Sequence, residues 1–203
     1  MAEWEYMAAS DSASVIIPDG CQDLLFWAPK NAKPYWIITS LDESAYHTNI
    51  MAGDYLKGYR LKPGTVIARK NLLSAVQMLD VHGDIADRIG SFTGLSGNVE
   101  DALNSLGDAA ANVRTAASGL GVSMRSLQRL LKPTGRTPAG WVSLARARKA
   151  ARAIGPLADR ALAFGYADQP HMNREFRRWF NVSPAQIQKK PDILSQLEGT
   201  GYF

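Results

Sequence analysis

The sequence predicts an α+β protein, with a small antiparallel β domain followed by an all-α domain of two helix-turn-helix motifs joined by a linking helix. Two observations indicate this division. Short β-rich runs separated by turn residues fill residues 1–70. From residue 105, apolar residues recur at helical spacing, and a short helix, a Gly-containing turn and a second helix occur twice. We therefore divide the chain into 1–70, a connecting segment 71–104, the helical domain 105–190 and a tail 191–203.

The β domain is predicted from six short runs. SVIIP and CQDLLFW flank the turn signal Pro18-Asp19-Gly20, so residues 13–27 are expected to form a hairpin. Four further runs cover 34–39, 45–51, 54–61 and 65–68. We expect a sandwich or partial barrel too short to be roomy, preceded by a short arm over residues 1–11.

The connecting segment changes to helical period. Apolar residues from Asn71 to Ile89 predict one amphipathic helix, weakened in its middle by Gly83. Its apolar stripe is expected to face its own β domain, with another subunit as the alternative. Ser91 to Gly107 predicts a linker with a short helix at 98–106.

The first motif centres on Gly121, which is able to adopt the positive φ of a tight turn. Ala116 and Ala117 before it allow two helices to cross closely. Ser123 is a suitable N-cap for a helix extending to Leu131. That helix is predicted to bury Leu127, Leu130 and Leu131, and to expose Met124, Arg125, Gln128, Arg129 and Lys132.

A linking helix begins at Thr137-Pro138. Its cations Arg146, Arg148, Lys149 and Arg152 are expected to contact solvent or phosphate. In the second motif, Gly165 is the turn residue and Asp168 the N-cap of a helix over 169–180. That helix is predicted to bury Met172, Phe176, Trp179 and Phe180, and to expose Gln169, His171, Asn173, Arg174, Arg177 and Arg178.

The charge distribution indicates a polyanionic partner. Residues 101–190 contain 15 Lys and Arg against 5 Asp and Glu, a balance of +10, whereas residues 1–100 have a balance of −4. Cations that neutralise phosphates release condensed counterions, which favours nucleic-acid binding. The alternative is a solvated basic face.

Several classes of protein are not supported. No apolar run reaches the length of a membrane span and no signal peptide is present, so we expect a cytoplasmic, nucleoid-associated protein without a membrane partner. The lone Cys21 excludes an internal disulfide and a multi-cysteine zinc site. No catalytic motif is found, so we expect no enzymatic activity, metal or cofactor.

GVSMRSLQRLLKPTGRTPAGWVSLARARKAARAI and LADRALAFGYADQPHMNREFRRWFNVSPAQ together resemble the DNA-binding domain of the AraC/XylS family of transcription regulators. The resemblance covers residues 105–190, and Arg160 departs from it at a position where the family usually has a buried aliphatic residue. It implies two helices entering successive major grooves. Arg, Gln and Asn side chains are suited to base edges there. The implied base-reading residues are Arg125, Gln128, Arg129, Gln169, His171, Asn173 and Arg174. The predicted phosphate contacts are Ser123, Lys132, Arg136, Arg177 and Arg178.

The motifs IIPDGCQDLLFW and GYRLKPG resemble the β-rich N-terminal domain found in some regulators of this family. By analogy this implies effector sensing or dimerisation. Candidate residues for a pocket that takes a polar or anionic ligand are Tyr35, Trp36, Tyr46, His47, Tyr59 and Arg60. The alternative is that the aromatic residues are core. Cys21 is interpreted as a buried structural thiol rather than a redox or alkyl-accepting group.

We therefore predict a sequence-specific regulator of transcription, and expect an activator. Its candidate partners are double-stranded DNA, a small-molecule effector, RNA polymerase and a second copy of the chain. The alternative is an antiactivator or co-regulator that binds protein and has little affinity for DNA.

Overall fold

The protein has an antiparallel β region followed by a helical region, as the sequence predicts. The computed structural model describes residues 1–79, 83–108, 112–199 and 201–203. The strands are β1 (Ala2–Met7), β2 (Ser12–Ile16), β3 (Gln22–Ala28), β4 (Tyr35–Ile38), β5 (Tyr46–Ile50), β6 (Tyr55–Leu61), β7 (Val66–Ile67) and β8 (Thr93–Gly94). The helices are α1 (Arg69–Val76), α2 (Ile85–Phe92), α3 (Gly97–Gly107), α4 (Val113–Gly119), α5 (Met124–Leu131), α6 (Pro138–Arg152), α7 (Leu157–Ala163), α8 (Gln169–Phe180), α9 (Pro184–Ile187) and α10 (Pro191–Glu198).

The predicted hairpin over residues 13–27 is wrong. Four strands pair in the order β1-β6-β3-β4, while β2 pairs with β5 in a separate antiparallel ribbon. The Pro18-Asp19-Gly20 turn therefore carries the chain from one sheet to the other. Gly20 has φ +77°, and a Cβ added there would lie 2.8 Å from Trp141 and from Tyr202. The turn is held by the helical region, which a local turn signal cannot reveal.

The predicted N-terminal arm is strand β1. It pairs with β6 from Ala2 opposite Arg60 to Met7 opposite Tyr55. The Trp4 indole covers Gly58, where an added Cβ would come within 2.1 Å of the ring. The absence of a side chain at Gly58 thus leaves room for the Trp4 ring to pack on the sheet.

The single helix predicted over 71–89 is two helices, α1 and α2. Helix α1 ends at Val76 and α2 begins at Ile85, so Gly83, the residue that weakens the predicted helix, lies between them. Residues 80–82 lie outside the described residues. Leu72 and Val76 of α1 and Ile85 and Ile89 of α2 join one core cluster with the four-stranded sheet. Their apolar stripe therefore faces its own β region, as expected from the sequence.

The remaining core spans both regions. Val15, Ile17 and Ala45 of the β region share a buried cluster with side chains of α3 to α10. Residues 191–203, predicted as a tail, contribute Ile193, Leu197 and Tyr202 to that cluster, while other residues of the segment remain exposed. The β2-β5 ribbon is thus fixed to the helical region by a common apolar core.

Arg148 reinforces this junction, and the prediction that it contacts solvent or phosphate is wrong. Its exposed fraction is 0%. The guanidinium donates to the carbonyl of Pro18 at 3.3 Å and to that of Phe203 at 2.9 Å. Burial lowers the pKa of Arg148 to about 10. A buried cation is tolerated only when its donors are satisfied, so these two carbonyls hold the β region and the C-terminal segment against α6.

The tight contact at Gly20 leads to a stability prediction. Gly20→Ala adds a side chain at positive φ against Trp141 and Tyr202, so the free energy of unfolding is expected to fall by about 2 to 4 kcal/mol in urea titrations. Gly90→Ala is the control, since an added Cβ inside α2 meets nothing within 4 Å. That variant is expected to gain roughly 0.5 to 1 kcal/mol. Equal stability of the two variants would contradict the packing at Gly20.

Candidate nucleic-acid interface

The turns of the two motifs have the same hydrogen-bond pattern. After α4, the Val122 amide donates to the Ala117 carbonyl and the Gly121 amide to that of Ser118, both at 3.0 Å. After α7, the amides of residues 166 and 165 donate in the same way to the carbonyls of residues 161 and 162. Gly121 and Gly165 have φ of +67° and +69°. These are two Schellman motifs, so the two helix pairs turn alike, as their sequences predict.

Each turn is followed by a capped helix. Ser123 Oγ accepts the Ser126 amide at 3.0 Å, and Asp168 Oδ1 accepts the His171 amide at 2.6 Å. Both caps satisfy amides at helix N-termini that otherwise lack partners. Ser123 therefore has a structural role in addition to its predicted contact with phosphate.

Helix α5 separates apolar from cationic residues. Leu127 and Leu131 are fully buried, and Leu130 is half-buried. The predicted contacts on the opposite side are all exposed: Ser123, Arg125, Gln128, Arg129 and Lys132. The side chains needed for a groove contact are therefore free on this helix.

Helix α8 buries the four residues that the sequence predicts, Met172, Phe176, Trp179 and Phe180. Arg174, Arg177 and Arg178 are exposed, whereas Gln169, His171 and Asn173 are half-buried. Arg178 also lies over the Trp179 ring, 4.9 Å from its centroid, and 4.0 Å from the Glu175 carboxylate. Arg174 and Arg177 are thus the least restrained cations on this helix.

His171 and Asn173 are partly engaged within the fold. His171 Nδ1 accepts the Ala167 amide at 3.3 Å, and its ring packs edge-on against Tyr166. Asn173 Oδ1 is buried, and no hydrogen-bond partner for it occurs among the described residues. A rotation of the Asn173 side chain is needed before its amide presents both groups to a base edge.

Arg136 does not match the prediction of a phosphate contact. Its exposed fraction is 8%. The guanidinium lies 5.4 Å from the Trp141 ring centroid and 4.9 Å from that of Trp179, and Nη2 donates to the Asp42 carbonyl at 2.8 Å. Burial lowers the pKa of Arg136. Charged residues are usually exposed, but two indole rings and a carbonyl provide Arg136 with a buried site, and no local sequence pattern predicts their meeting.

Arg160, the departure from the family pattern, is also buried, at 5% exposure. Its Nη2 donates to the Ala150 carbonyl, near the C-terminus of α6. Carbonyls in the last turn of a helix lack intrahelical partners and carry partial negative charge. Arg160 therefore joins α7 to the end of the linking helix.

Both motifs pack on α6. Trp179 Nε1 of α8 donates to Ser143 Oγ at 2.8 Å, and the Ser143 hydroxyl bonds to the Glu175 carboxylate. On the side of the first motif, Trp141 Nε1 donates to Thr134 Oγ1 at 3.1 Å. Helix α6 is thus the linking helix that the sequence predicts.

The β region encloses a cavity of about 850 Å³ between the four-stranded sheet and the β2-β5 ribbon. Of the predicted pocket residues, Tyr46 and Arg60 line it. Trp36 and Tyr59 instead pack in the core with α1 and α2, while Tyr35 and His47 are exposed. The expectation that the β domain is too short to be roomy is therefore wrong.

The alternation of side chains along strand β5 is the sequence pattern that could have identified residues of the cavity wall. Tyr46, Thr48 and Ile50 of β5 line the cavity, whereas His47 does not. Side chains two residues apart share one face of a strand. Sequence reasoning missed Asp19, Asp23 and Asp42, which also line the cavity.

Cys21 is a buried thiol in this wall, consistent with the structural interpretation. Burial, together with the nearby carboxylate of Asp19, raises the pKa of Cys21 to about 12. The reactive thiolate is therefore scarce at neutral pH, which disfavours an alkyl-accepting role.

No helix among the described residues is long and apolar enough to cross a membrane. Within the same residues, no group of three or more His, Cys, Asp or Glu side chains is arranged to hold a metal ion.

Comparison with known proteins identifies the helical segment. Residues 116–190 match a family model described as a helix-turn-helix domain. No curated protein matches the chain. The C-terminal domain of AraT, a response regulator from Geobacillus stearothermophilus, is 25% identical, with 47% of this chain and 86% of that chain covered and a TM-score of 0.42.

Two further solved structures are similar over most of the chain. ToxT from Vibrio cholerae O395 is 11% identical, with 98% of each chain covered and a TM-score of 0.48. Wild-type ToxT from Vibrio cholerae strain SCE256, bound to an unsaturated fatty acid, is 10% identical. In that comparison, 91% of this chain and 92% of that chain are covered, with a TM-score of 0.42.

The burial of Arg136 leads to a prediction that separates a structural role from a phosphate contact. Arg136→Gln removes the cation between the two indole rings and its bond to the Asp42 carbonyl. The free energy of unfolding is expected to fall by about 2 kcal/mol, measured by urea titration. Lys132→Gln, an exposed cation four residues earlier, is expected to leave it unchanged. If Arg136→Gln retains full stability and weakens only duplex binding, the burial of Arg136 is contradicted.

Proposed function

We propose that the chain is a DNA-binding transcription regulator that inserts α5 and α8 into successive major grooves, on the premise that residues 116–190 belong to the AraC-type helix-turn-helix family. One observation carries the proposal. Each of these helices follows the same Schellman turn, packs its apolar face inward and leaves cations exposed. Two insertions one helical turn apart correspond to a site of roughly 20 base pairs.

The proposed base contacts on α5 are made by Arg125, Gln128 and Arg129, all exposed. Arg pairs bidentately with guanine and Gln with adenine. On α8 the exposure of Arg174 favours it as the main base contact, with Gln169, His171 and Asn173 at the margin of the groove.

Affinity is proposed to come largely from phosphates. Lys132, Arg177 and Arg178 are exposed cations beside the proposed base contacts, and the Ser123 hydroxyl lies at the start of α5. Phosphate contacts set the orientation on the duplex without reading its sequence. The balance of +10 over residues 101–190 supports attraction to a polyanion.

We also propose control by a small molecule bound in the cavity. Asp42 lines the cavity, and its carbonyl accepts the Arg136 guanidinium that stacks on Trp141 of α6 and Trp179 of α8. Three residues on, the Ala45 amide donates to the Trp179 carbonyl at 2.9 Å. A ligand that shifts this loop therefore acts directly on the linking helix and on a proposed reading helix. The resemblance to the family favours activation, through RNA polymerase, as the sign of control.

The proposal predicts a loss of sequence discrimination. A preferred duplex is first selected from a randomised pool with the purified chain. Arg129→Ala and Arg174→Ala are each expected to reduce discrimination between this duplex and a scrambled one by about 1 to 3 kcal/mol, since a bidentate base contact is removed. Fluorescence anisotropy at several salt concentrations measures the change.

Arg88→Ala provides a control of equal charge change, because Arg88 is an exposed cation on α2 in the β region. It is expected to preserve discrimination. Wild-type discrimination in both Arg129→Ala and Arg174→Ala would reject the assignment of these residues to base edges. Little affinity for any duplex, even at modest salt, would instead favour a protein-binding role for the domain.

A further inference from the structure

The chemistry of the cavity wall indicates what kind of molecule fits it. The wall is built from β1, β3, β4 and β6 of the larger sheet and from both strands of the β2-β5 ribbon. A volume of about 850 Å³ lies within the range of small-molecule sites in proteins. The occupant is thus expected to be a small organic molecule rather than a macromolecule.

The wall carries an excess of negative charge. Glu5, Asp19, Asp23 and Asp42 line it, and Arg60 is the only cationic side chain that lines it within the described part of the chain. Arg60 is already paired, through Nη1 with Asp19 at 3.0 Å and through Nε with Asp23 at 3.2 Å. An anionic ligand would therefore compete with two carboxylates for Arg60, at odds with the anionic alternative that the sequence suggests.

Of the four wall carboxylates among the described residues, Asp42 alone lacks a direct hydrogen-bond or ion-pair partner, since Glu5 accepts from the Tyr55 hydroxyl at 3.2 Å. Asp23 accepts from Trp4 Nε1 and Arg60, and Asp19 accepts the Cys21 amide and pairs with Arg60. No hydrogen bond or ion pair to the half-buried Asp42 carboxylate is found among the described residues. Burial and the charges of Asp19 and Asp23 raise the pKa of Asp42 to about 6, against the opposing effect of the Arg136 guanidinium.

The carboxylates also affect Tyr46, a second residue of the cavity wall. The pKa of Tyr46 is raised by burial and then by the carboxylates of Asp42, Asp23 and Asp19. The negative charge of these carboxylates therefore acts on the Tyr46 hydroxyl of β5. A positive charge placed between these groups would relieve their mutual repulsion.

The rest of the wall suits an apolar or aromatic body. Trp4, Tyr6, Trp27 and Tyr46 supply four aromatic rings. Aromatic faces attract organic cations as well as apolar groups. Ile16, Leu25, Ile37, Ile50 and Leu56 add aliphatic surface.

We propose that this cavity binds an organic cation, a protonated amine carried on an apolar or aromatic body, with the Asp42 carboxylate as its counter-ion. The proposal rests on the proposed function in that such an amine would be the effector. Its binding is measurable without DNA, so its failure and that of the duplex-binding proposal are distinguishable.

The test uses three probes with the same indole body, namely tryptamine, the neutral alcohol tryptophol and the anion indole-3-propionate. Isothermal titration calorimetry of the full chain at pH 7.5 measures each dissociation constant. Tryptamine is expected to bind at least about tenfold more tightly than tryptophol, because a charge-assisted hydrogen bond replaces a neutral one. Indole-3-propionate is expected to bind most weakly.

Asp42→Asn is expected to remove the tenfold advantage of tryptamine while leaving tryptophol binding unchanged. Glu43→Gln is the matched control, because Glu43 is the neighbouring, exposed carboxylate and does not line the cavity. It is expected to retain the preference for the amine. Thermal unfolding of both variants verifies that they remain folded.

The pH dependence of tryptamine binding provides an independent test of Asp42 as the counter-ion. Asp42 faces the carboxylates of Asp19 and Asp23 and the Arg136 guanidinium, with Tyr46 nearby. Because the pKa of Asp42 lies at about 6, the carboxylate is ionised at pH 7.5 and neutral at pH 5. Tryptamine affinity is therefore expected to fall between these values in the wild type and to fall less in Asp42→Asn.

Three results would overturn the proposal: tighter binding of indole-3-propionate than of tryptamine, wild-type tryptamine affinity in folded Asp42→Asn, or no binding of any probe at millimolar concentration. Each leaves duplex binding untouched, since the two assays share no component except the chain.

Discussion

The burial of guanidinium groups between the β region and the helices is the constraint on which the rest of the structure depends. A buried cation is costly unless its donors are satisfied and its faces covered. Arg136 and Arg148 draw their partners from both regions: the carbonyls of Asp42 and Pro18 on one side, and two indole rings and the Phe203 carbonyl on the other. Neither region alone supplies the full set, so their relative placement follows from charge satisfaction as well as from apolar packing.

The same logic explains why the second motif tolerates an arginine inside its scaffold. Arg160 approaches the C-terminal turn of α6, where unpartnered carbonyls attract a donor. Gln188 donates to the adjacent carbonyl of Ala151 at 3.1 Å. The end of the linking helix is therefore closed by side chains from α7 and from the segment after α9, and the second motif is fixed to the first through them.

The helical region was largely predictable because its determinants are local. Gly121 and Gly165 mark their turns, Ser123 and Asp168 mark the helix starts, and the apolar spacing identifies the buried face of each helix. The β region was not predictable to the same degree. Its strand runs are visible, but β2 pairs with β5 rather than β3, and that choice depends on contacts with helices more than 100 residues away.

The candidate site likewise has one part that local sequence predicts and one part that depends on distant contacts. The exposure of Arg125 and Arg129 follows from helical period, whereas the burial of Arg136 depends on Trp179, Asp42 and Trp141 meeting in space. In the cavity, the two-residue period of a strand is enough to predict that Tyr46 and His47 lie on opposite faces of β5, so that only one of them lines the wall. The grouping of Asp19, Asp23 and Asp42 comes from three separate strand ends and loops, and no sequence spacing predicts it.

The β2-β5 ribbon has a consequence for how such a protein diversifies. Along β5, alternate side chains Tyr46, Thr48 and Ile50 line the cavity, while Ala45 at the strand's edge bonds to Trp179 and Asn181 through its main chain and joins the common core. Because backbone contacts survive changes of side chain, mutations can remodel the lining while the joint is inherited intact. The ligand preference of the ribbon can thus change during evolution while its attachment to the helices is retained.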